Sequence, residues 1–228
     1  MSDCDAVLLD MNGTFMFGGD RFDDRQDYVA TYKEIGGHRL SDDLVLTRIA
    51  AVQAKMAALY SDPECLECFP TVYETLGDLS DLTAIDCRQL AEVIARHEIG
   101  HVSTEYASTL RWLADRFVIG LVTNLWSEKT LWLRELERAG VASLFQTMVF
   151  SSDHSSIKPS SKLFEMALAD LRCDASNVLF IGDDLHRDME GAQALGFRTL
   201  WIGKGDPRPS ITDGIVPDLL DLPGWLQR

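Results

Sequence analysis

Short, unbroken apolar runs recur along the chain, and each closes on a polar or glycine residue. They are 6-10 (AVLLD), 117-122 (FVIGLV) before Thr123, 147-150 (TMVF) before Ser151, 178-181 (VLFI) before Gly182 and Asp183, and 199-202 (TLWI) before Gly203. A strand wetted on one face alternates apolar with polar residues, whereas a continuous run of this length suits a parallel sheet covered on both faces. Helix-period stretches lie between the later runs, at 127-139 (SEKTLWLRELERA) and 160-171 (SSKLFEMALADL). Ser127 and Ser160 stand where a hydroxyl can cap the first turn, and Gly140 stands where a helix can stop. The pattern predicts an α/β fold with a doubly wound, Rossmann-like parallel sheet as its core.

Residues 18-100 break this rhythm. They lack β-branched runs and show helical stretches at 24-34, 41-60, 70-77 and 87-98, punctuated by Gly36-Gly37, Asp62-Pro63 and Leu79-Ser80. The expected organisation is an α/β core of residues 1-17 and 101-228 with an α-helical domain, 18-100, inserted after the first strand.

Composition narrows the partners. The formal net charge of -15 over 228 residues argues against nucleic acid, which is held by clustered Lys and Arg. A local cationic or metal site can still bind a small anion inside an acidic protein. No apolar window reaches membrane-spanning length, and MSDCDAVLLD carries acids where a secretory signal carries bases. The cysteines, Cys4, Cys65, Cys68, Cys87 and Cys173, are odd in number and lack framework spacing, so reduced thiols in a cytoplasmic protein are expected.

The chemistry concentrates where the apolar runs end, the edge at which open α/β sheets bind ligands. Asp10 offers a carboxylate, and the turn after it, Met11-Asn12-Gly13-Thr14, offers backbone groups and a hydroxyl. Thr123 and Asn124 follow the second run, Lys158 precedes Pro159, and Asp183 and Asp184 follow the fourth run with Asp188 one turn on. Asp10, Asp183 and the carbonyl of residue 12 are hard oxygen ligands of the kind Mg²⁺ takes. Lys158 supplies a compact positive charge, Thr14 and Thr123 supply donors, and Asp188 can hold Lys158 by ion pairing.

Together DMNGT at 10-14, the strand ending in Thr123, KPSSKLF at 158-164 and IGDDLHRDMEGAQALG at 181-196 resemble the four motifs of the haloacid dehalogenase-like hydrolase superfamily. Their order and spacing fit over roughly residues 1-16 and 103-205, and the inserted segment takes the place of that family's helical cap. The resemblance implies a Mg²⁺-dependent phosphatase acting on a small phosphorylated metabolite through an aspartyl-phosphate. Asp10 would be the nucleophile, Thr123 and Lys158 would bind the phosphoryl group, and Asp10, the Asn12 carbonyl and Asp183 would hold the metal.

One residue departs from the pattern. The phosphatases carry an aspartate two positions after the nucleophile, which protonates the leaving oxygen and later activates water; here the residue is Asn12, and an amide does not exchange a proton near neutral pH. The readings left open are a slow phosphatase or one that uses leaving groups needing no protonation, an asparagine introduced to trap a complex, and a relative with other chemistry. Among the last, halide-cleaving members also lack the second aspartate but use no metal, and phosphonate-cleaving members use a cap lysine, for which Lys33 and Lys55 are candidates by location. A binder of a phosphorylated ligand without turnover is a further reading.

A rival motif lies at His97-Glu98-Ile99-Gly100-His101, which matches the HExxH pattern of zinc proteases but carries a helix-weakening glycine. Cys65-x-x-Cys68 lacks a second pair. Trp126 and Trp132 read as core or interface residues, and Phe15, Met16 and Phe17 as either an entrance lining or packing at the junction with the inserted helices. His154 and His186 read as solvated loop positions. The chain does not disclose its substrate or its oligomeric state.

Overall fold

A computed structural model describes residues 6–23, 25–79, 81–205 and 211–226; Cys4 and Ser80 lie outside the described residues. Six strands, β1 (Ala6–Leu9), β2 (Val118–Thr123), β3 (Phe145–Phe150), β4 (Val178–Gly182), β5 (Arg198–Ile202) and β6 (Gly214–Val216), pair in parallel in the order β3-β2-β1-β4-β5-β6. Side chains alternate between the faces, as the pleat requires. Val7, Leu9, Ile119, Leu121, Leu179 and Ile181 enter one apolar cluster, while Ala6, Leu8, Val122, Val178 and Phe180 enter another.

Helices cover both faces. The first cluster is closed by α5 (Thr104–Ala114) and α6 (Thr130–Arg138), with Leu110, Leu113, Trp132 and Leu136 fully buried. The second is closed by α7 (Ser161–Leu171) and α8 (Gly191–Ala194) through Leu163, Phe164 and Ala192. A short α9 (Leu222–Leu226) ends the described chain. No described helix is long and apolar enough to cross a membrane.

Between β1 and β2 lie α1 (Tyr28–Glu34), α2 (Asp42–Tyr60), α3 (Val72–Gly77) and α4 (Ala84–Glu98). Capping sets their starts: Asp27 and Ser41 accept from first-turn amides, and Thr71/Glu74 and Thr83/Asp86 form capping boxes that satisfy otherwise orphaned N–H groups. The helices share a third apolar cluster, including Ile49, Val52, Leu76, Leu90 and Val93, at most 2% exposed each. The two connecting segments run antiparallel: Phe17 and His101 exchange backbone hydrogen bonds of 3.1 and 2.8 Å, and the amides of Asp20 and Arg21 donate to the carbonyls of Glu98 and His97.

Some expectations need correction. α6 starts at Thr130 with Lys129 at its cap position, so Ser127 caps nothing; Ser160 does cap α7, and Gly140, at φ +65°, follows the end of α6. Helix α5 and strand β6 are additions. Val102-Ser103-Thr104 reads as a poor continuation of α4, and it is a fresh start, with Ser103 at the cap position of α5. Strand β6 has only three residues at the sheet edge, too few to show a period.

Candidate active site

The strand order reverses direction between β1 and β4, so the loops after these two strands diverge and leave a crevice at their carboxyl ends. Asp10 and Asp183 stand on its two sides. The Asp10 amide donates to the Ile181 carbonyl at 2.8 Å, which extends the ladder by one residue and fixes where its side chain starts. The next turn folds back on itself, with the amides of Phe15 and Met16 both 3.0 Å from the Met11 carbonyl and Gly13 at φ +77°. A Cβ at position 13 would lie 2.3 Å from Asp183 Oδ2, so the glycine leaves the space in which Asp183 sits.

Lys158 is 2% exposed, and its Nζ lies 2.6 Å from Asp10 Oδ1 and 2.6 Å from Asp188 Oδ1. Asn124 takes the Lys158 amide at 2.9 Å, and Arg187 donates to the Lys158 carbonyl at 2.8 Å. Asp188 reaches back because Leu185–Glu190 winds as a π-type helix, a form frequent at functional sites. Asp184 caps that segment by accepting from the amides of His186 and Arg187, both at 2.9 Å, while its own amide donates to Asp188 Oδ2. Burial opposes the charge on Lys158, but the Asp10 and Asp188 carboxylates outweigh it and hold the ammonium above its usual range.

Three carboxylates crowd this point, since oxygen atoms of Asp10, Asp183 and Asp188 all lie within 4.8 Å of one another. Desolvation first, and then the charges of Asp10 and Asp188, push the Asp183 carboxyl up. Desolvation also raises Asp188, with Lys158 pulling it back. Asp183 is itself exposed, and the crowding of like charge around it is what a divalent cation would relieve. An all-oxygen donor set with one exposed member fits Mg²⁺.

These groups line a cavity of about 350 Å³ with Asn12, Asn124 and Asp184. Thr14 and Thr123 do not line it. Both are fully buried, with hydroxyls that have no hydrogen-bond partner among the described residues. The remaining walls come from residues that the sequence did not mark as a site: Asp20, Phe22, Tyr60, Trp126 and Arg187, together with Glu98. Arg187 stacks on Tyr60 at 3.5 Å and donates to its carbonyl at 2.6 Å; its place inside the IGDDLHRDMEG stretch was the one available signal. Glu98 is 3% exposed and accepts from the amides of Trp126 and Ser127 at 2.7 and 3.0 Å, and burial pushes its carboxyl up to about 7 against those bonds.

The zinc-protease motif separates in the fold. Helix α4 ends at Glu98 and Ile99 turns extended, so His97 and His101 do not share a helical face. His97 is engaged by Thr31 and Gln26, and His101 lies beside Glu135 and Arg138. Cys65, Cys68, Cys87 and Cys173 are free thiols, and no other group of three metal-ligating side chains occurs among the described residues. Lys33 and Lys55 pair with Asp42 and Asp78 and line no part of the cavity. Phe15, Met16 and Trp132 are core, while Phe17 tilts onto Tyr106 beside the connecting segments. His186 is exposed and pairs with Glu190, whereas His154 is half-buried in its turn, where its carbonyl accepts from Lys162.

The Lys158 arrangement predicts a stability effect. Lys158→Met fills most of the volume but strands Asp10 and Asp188 without their counter-charge, which typically costs about 3–5 kcal/mol. Chemical denaturation without added metal should show this loss at neutral pH. The deficit should shrink in acid, where the stranded carboxylates take up protons.

The family model described as haloacid dehalogenase-like hydrolase matches residues 86–202, just over half the chain. A ribulose-1,5-bisphosphate 5-phosphatase of Halopiger xanaduensis is 37% identical over 93 residues, covering 40% of this chain and 38% of that one. The chain thus aligns with well under half the length of that relative. The pyrophosphatase PpaX of Bacillus pumilus is 28% identical over 178 residues, 72% of this chain and 81% of that one. Among solved structures, a 2-haloacid dehalogenase from Pseudomonas syringae superposes with a TM-score of 0.69 at 21% identity, over 99% of both chains. At such identity the likeness speaks for the fold alone.

Proposed function

The chain belongs to the haloacid dehalogenase-like hydrolase family, and from that premise we propose that it is a Mg²⁺-dependent phosphatase acting through an aspartyl-phosphate on Asp10. The observation that carries this reading is the meeting of Asp10, Lys158, Asp183 and Asp188 in one cavity, with Lys158 within 2.6 Å of two of the three acids. Halide-cleaving members use no metal, so a cluster of carboxylates that a divalent cation would relieve favours the phosphatase reading, and phosphatases are among the relatives.

Asp10, Asp183 and the Asn12 carbonyl would hold the metal, which when bound offsets the charge of the phosphoryl oxygens. Asp10 then serves as the in-line nucleophile. Lys158 has three N–H donors, of which Asp10 and Asp188 take two; the third is left for a phosphoryl oxygen. Asp188, Asn124 and Arg187 hold Lys158 in position, which matters because preorganised charge costs nothing to reorient during the reaction. Thr14 and Thr123, buried and outside the cavity lining, are given no part in the step, and water then hydrolyses the phospho-aspartate. Residues 18-100 act as a cap over a core of 1-17 and 101-228, flexing at the paired segments near Phe17 and His101 and excluding bulk water when closed.

The direct test is phosphate release from a generic aryl phosphate. Turnover should require Mg²⁺, fall to background on chelation and return when Mg²⁺ is restored in excess. Turnover unchanged by exhaustive chelation would overturn the metal assignment, and its absence at any Mg²⁺ concentration would leave a phosphoryl-ligand binder.

A further inference from the structure

Beyond the nucleophile, the cavity has a second half that bears on the rest of the substrate. Phe22 and Trp126 stack nearly parallel, 5.6 Å between centroids and 8° between planes, and Tyr60 meets Trp126 edge-on at 5.9 Å. Beside them lie two carboxyls, Glu98 in the wall and Asp20 at the rim. The Asp20 backbone sits at φ +52°, its amide is tied to the Glu98 carbonyl, and its carboxylate has no hydrogen-bond or ion-pair partner among the described residues. Asp20 as a whole is exposed, and partial desolvation of its carboxyl and then the Asp10 charge push that carboxyl up.

The charge inventory of the cavity is one-sided. Six carboxyls face two cations: Asp10, Asp20, Glu98, Asp183, Asp184 and Asp188 against Lys158 and Arg187. Lys158 is committed to two of the acids, and Arg187 is stacked on Tyr60 and tied to two backbone carbonyls. A divalent cation at the Asp10 end would be matched by the charge of the phosphoryl group it serves. Arg187 lies in the other half but is held by Tyr60 and two backbone carbonyls, and Glu98 is held by two backbone amides, so the group left open to a substrate there is the Asp20 carboxylate beside the aromatic wall, a combination that attracts an organic cation through Coulomb and cation–π terms.

Resting on the phosphatase reading, we infer that the enzyme takes phosphomonoesters of amino alcohols, whose ammonium group lies against Asp20 and the Phe22–Trp126–Tyr60 wall, and discriminates against substrates carrying a second anion. Asp20 is the specificity-determining residue of this half.

The test is a matched panel: phosphoethanolamine and phosphocholine against 2-phosphoglycolate and inorganic pyrophosphate, with phenyl phosphate as the reference. Initial rates are measured on the wild type and on Asn12→Asp, and Mg²⁺-dependent binding is measured by calorimetry so that the order of preference is scored even without turnover. The two ammonium esters should exceed the two anionic substrates by tenfold or more in kcat/KM or affinity. Asp20→Asn, whose left-handed backbone asparagine tolerates well, should cut that ratio by about tenfold. Equal or reversed preference, or a ratio untouched by Asp20→Asn, overturns the inference. Failure of the phosphatase reading looks different: phenyl phosphate and all four panel compounds would go unhydrolysed in both proteins, whatever the order of binding.

Discussion

Asn12→Asp is expected to raise the rate of phosphate release from an unactivated alkyl phosphate by about 10²–10⁴, the usual contribution of a positioned general acid or base. Asn12 lines the same cavity as Asp10 and Lys158, so an aspartate there enters the site without new backbone geometry. The gain should appear in kcat with little change in KM, because proton transfer is needed only in the transition state. It should also be larger for alkyl than for aryl esters, since phenolate leaves without help. Steady-state kinetics on an alkyl and an aryl phosphate, wild type beside variant, decide the matter. Equal rates on the alkyl ester would mean that another group supplies the proton, and the amide at position 12 would not be the brake.

Asp10→Asn, made in the Asn12→Asp background, should return turnover to the limit of detection. Loss of the nucleophile in a serine protease costs about 10⁶, and an amide oxygen is a far weaker nucleophile than a carboxylate. The substitution nearly preserves volume, and Lys158 keeps Asp188 as a partner, so the variant should still fold. Circular dichroism and a cooperative thermal transition measured without added metal separate a dead site from an unfolded one. Residual turnover above a tenth of the parent would remove Asp10 from the role of nucleophile.

The parts of the fold that were legible in advance are those fixed by local chemistry. AVLL, VIGLV and VLFI announce buried parallel strands because no polar residue interrupts them, whereas the starts of α3 and α4, expected at 70 and 87, are set by capping boxes at Thr71/Glu74 and Thr83/Asp86 that had gone unread. Ser127 misled because a capping residue is recognised only by what its backbone does, and here its amide answers to Glu98, 29 residues away. The Asp10 side of the site was legible because strand ends deliver its residues in a set order. The opposite wall was not, since Asp20 with Phe22, Tyr60 and Trp126 come from three separate segments whose meeting depends on how the inserted helices sit on the sheet. Glu98 was singled out for another reason: its neighbours suggested zinc, while the end of α4 turned it toward the amides of Trp126 and Ser127.

The place of β1 in the sheet has a bearing on how the molecule is made. The strand that carries Asp10 is made before both of its neighbours, which begin at Val118 and Val178. Helices α1 to α4 make most of their contacts with one another and can settle early, whereas β1 must wait for its second neighbour until residue 178 and beyond have been synthesised. Truncated chains ending before Val178 should therefore hold an exposed apolar strand edge and no assembled cavity, which makes them substrates for chaperones and proteases rather than partial enzymes.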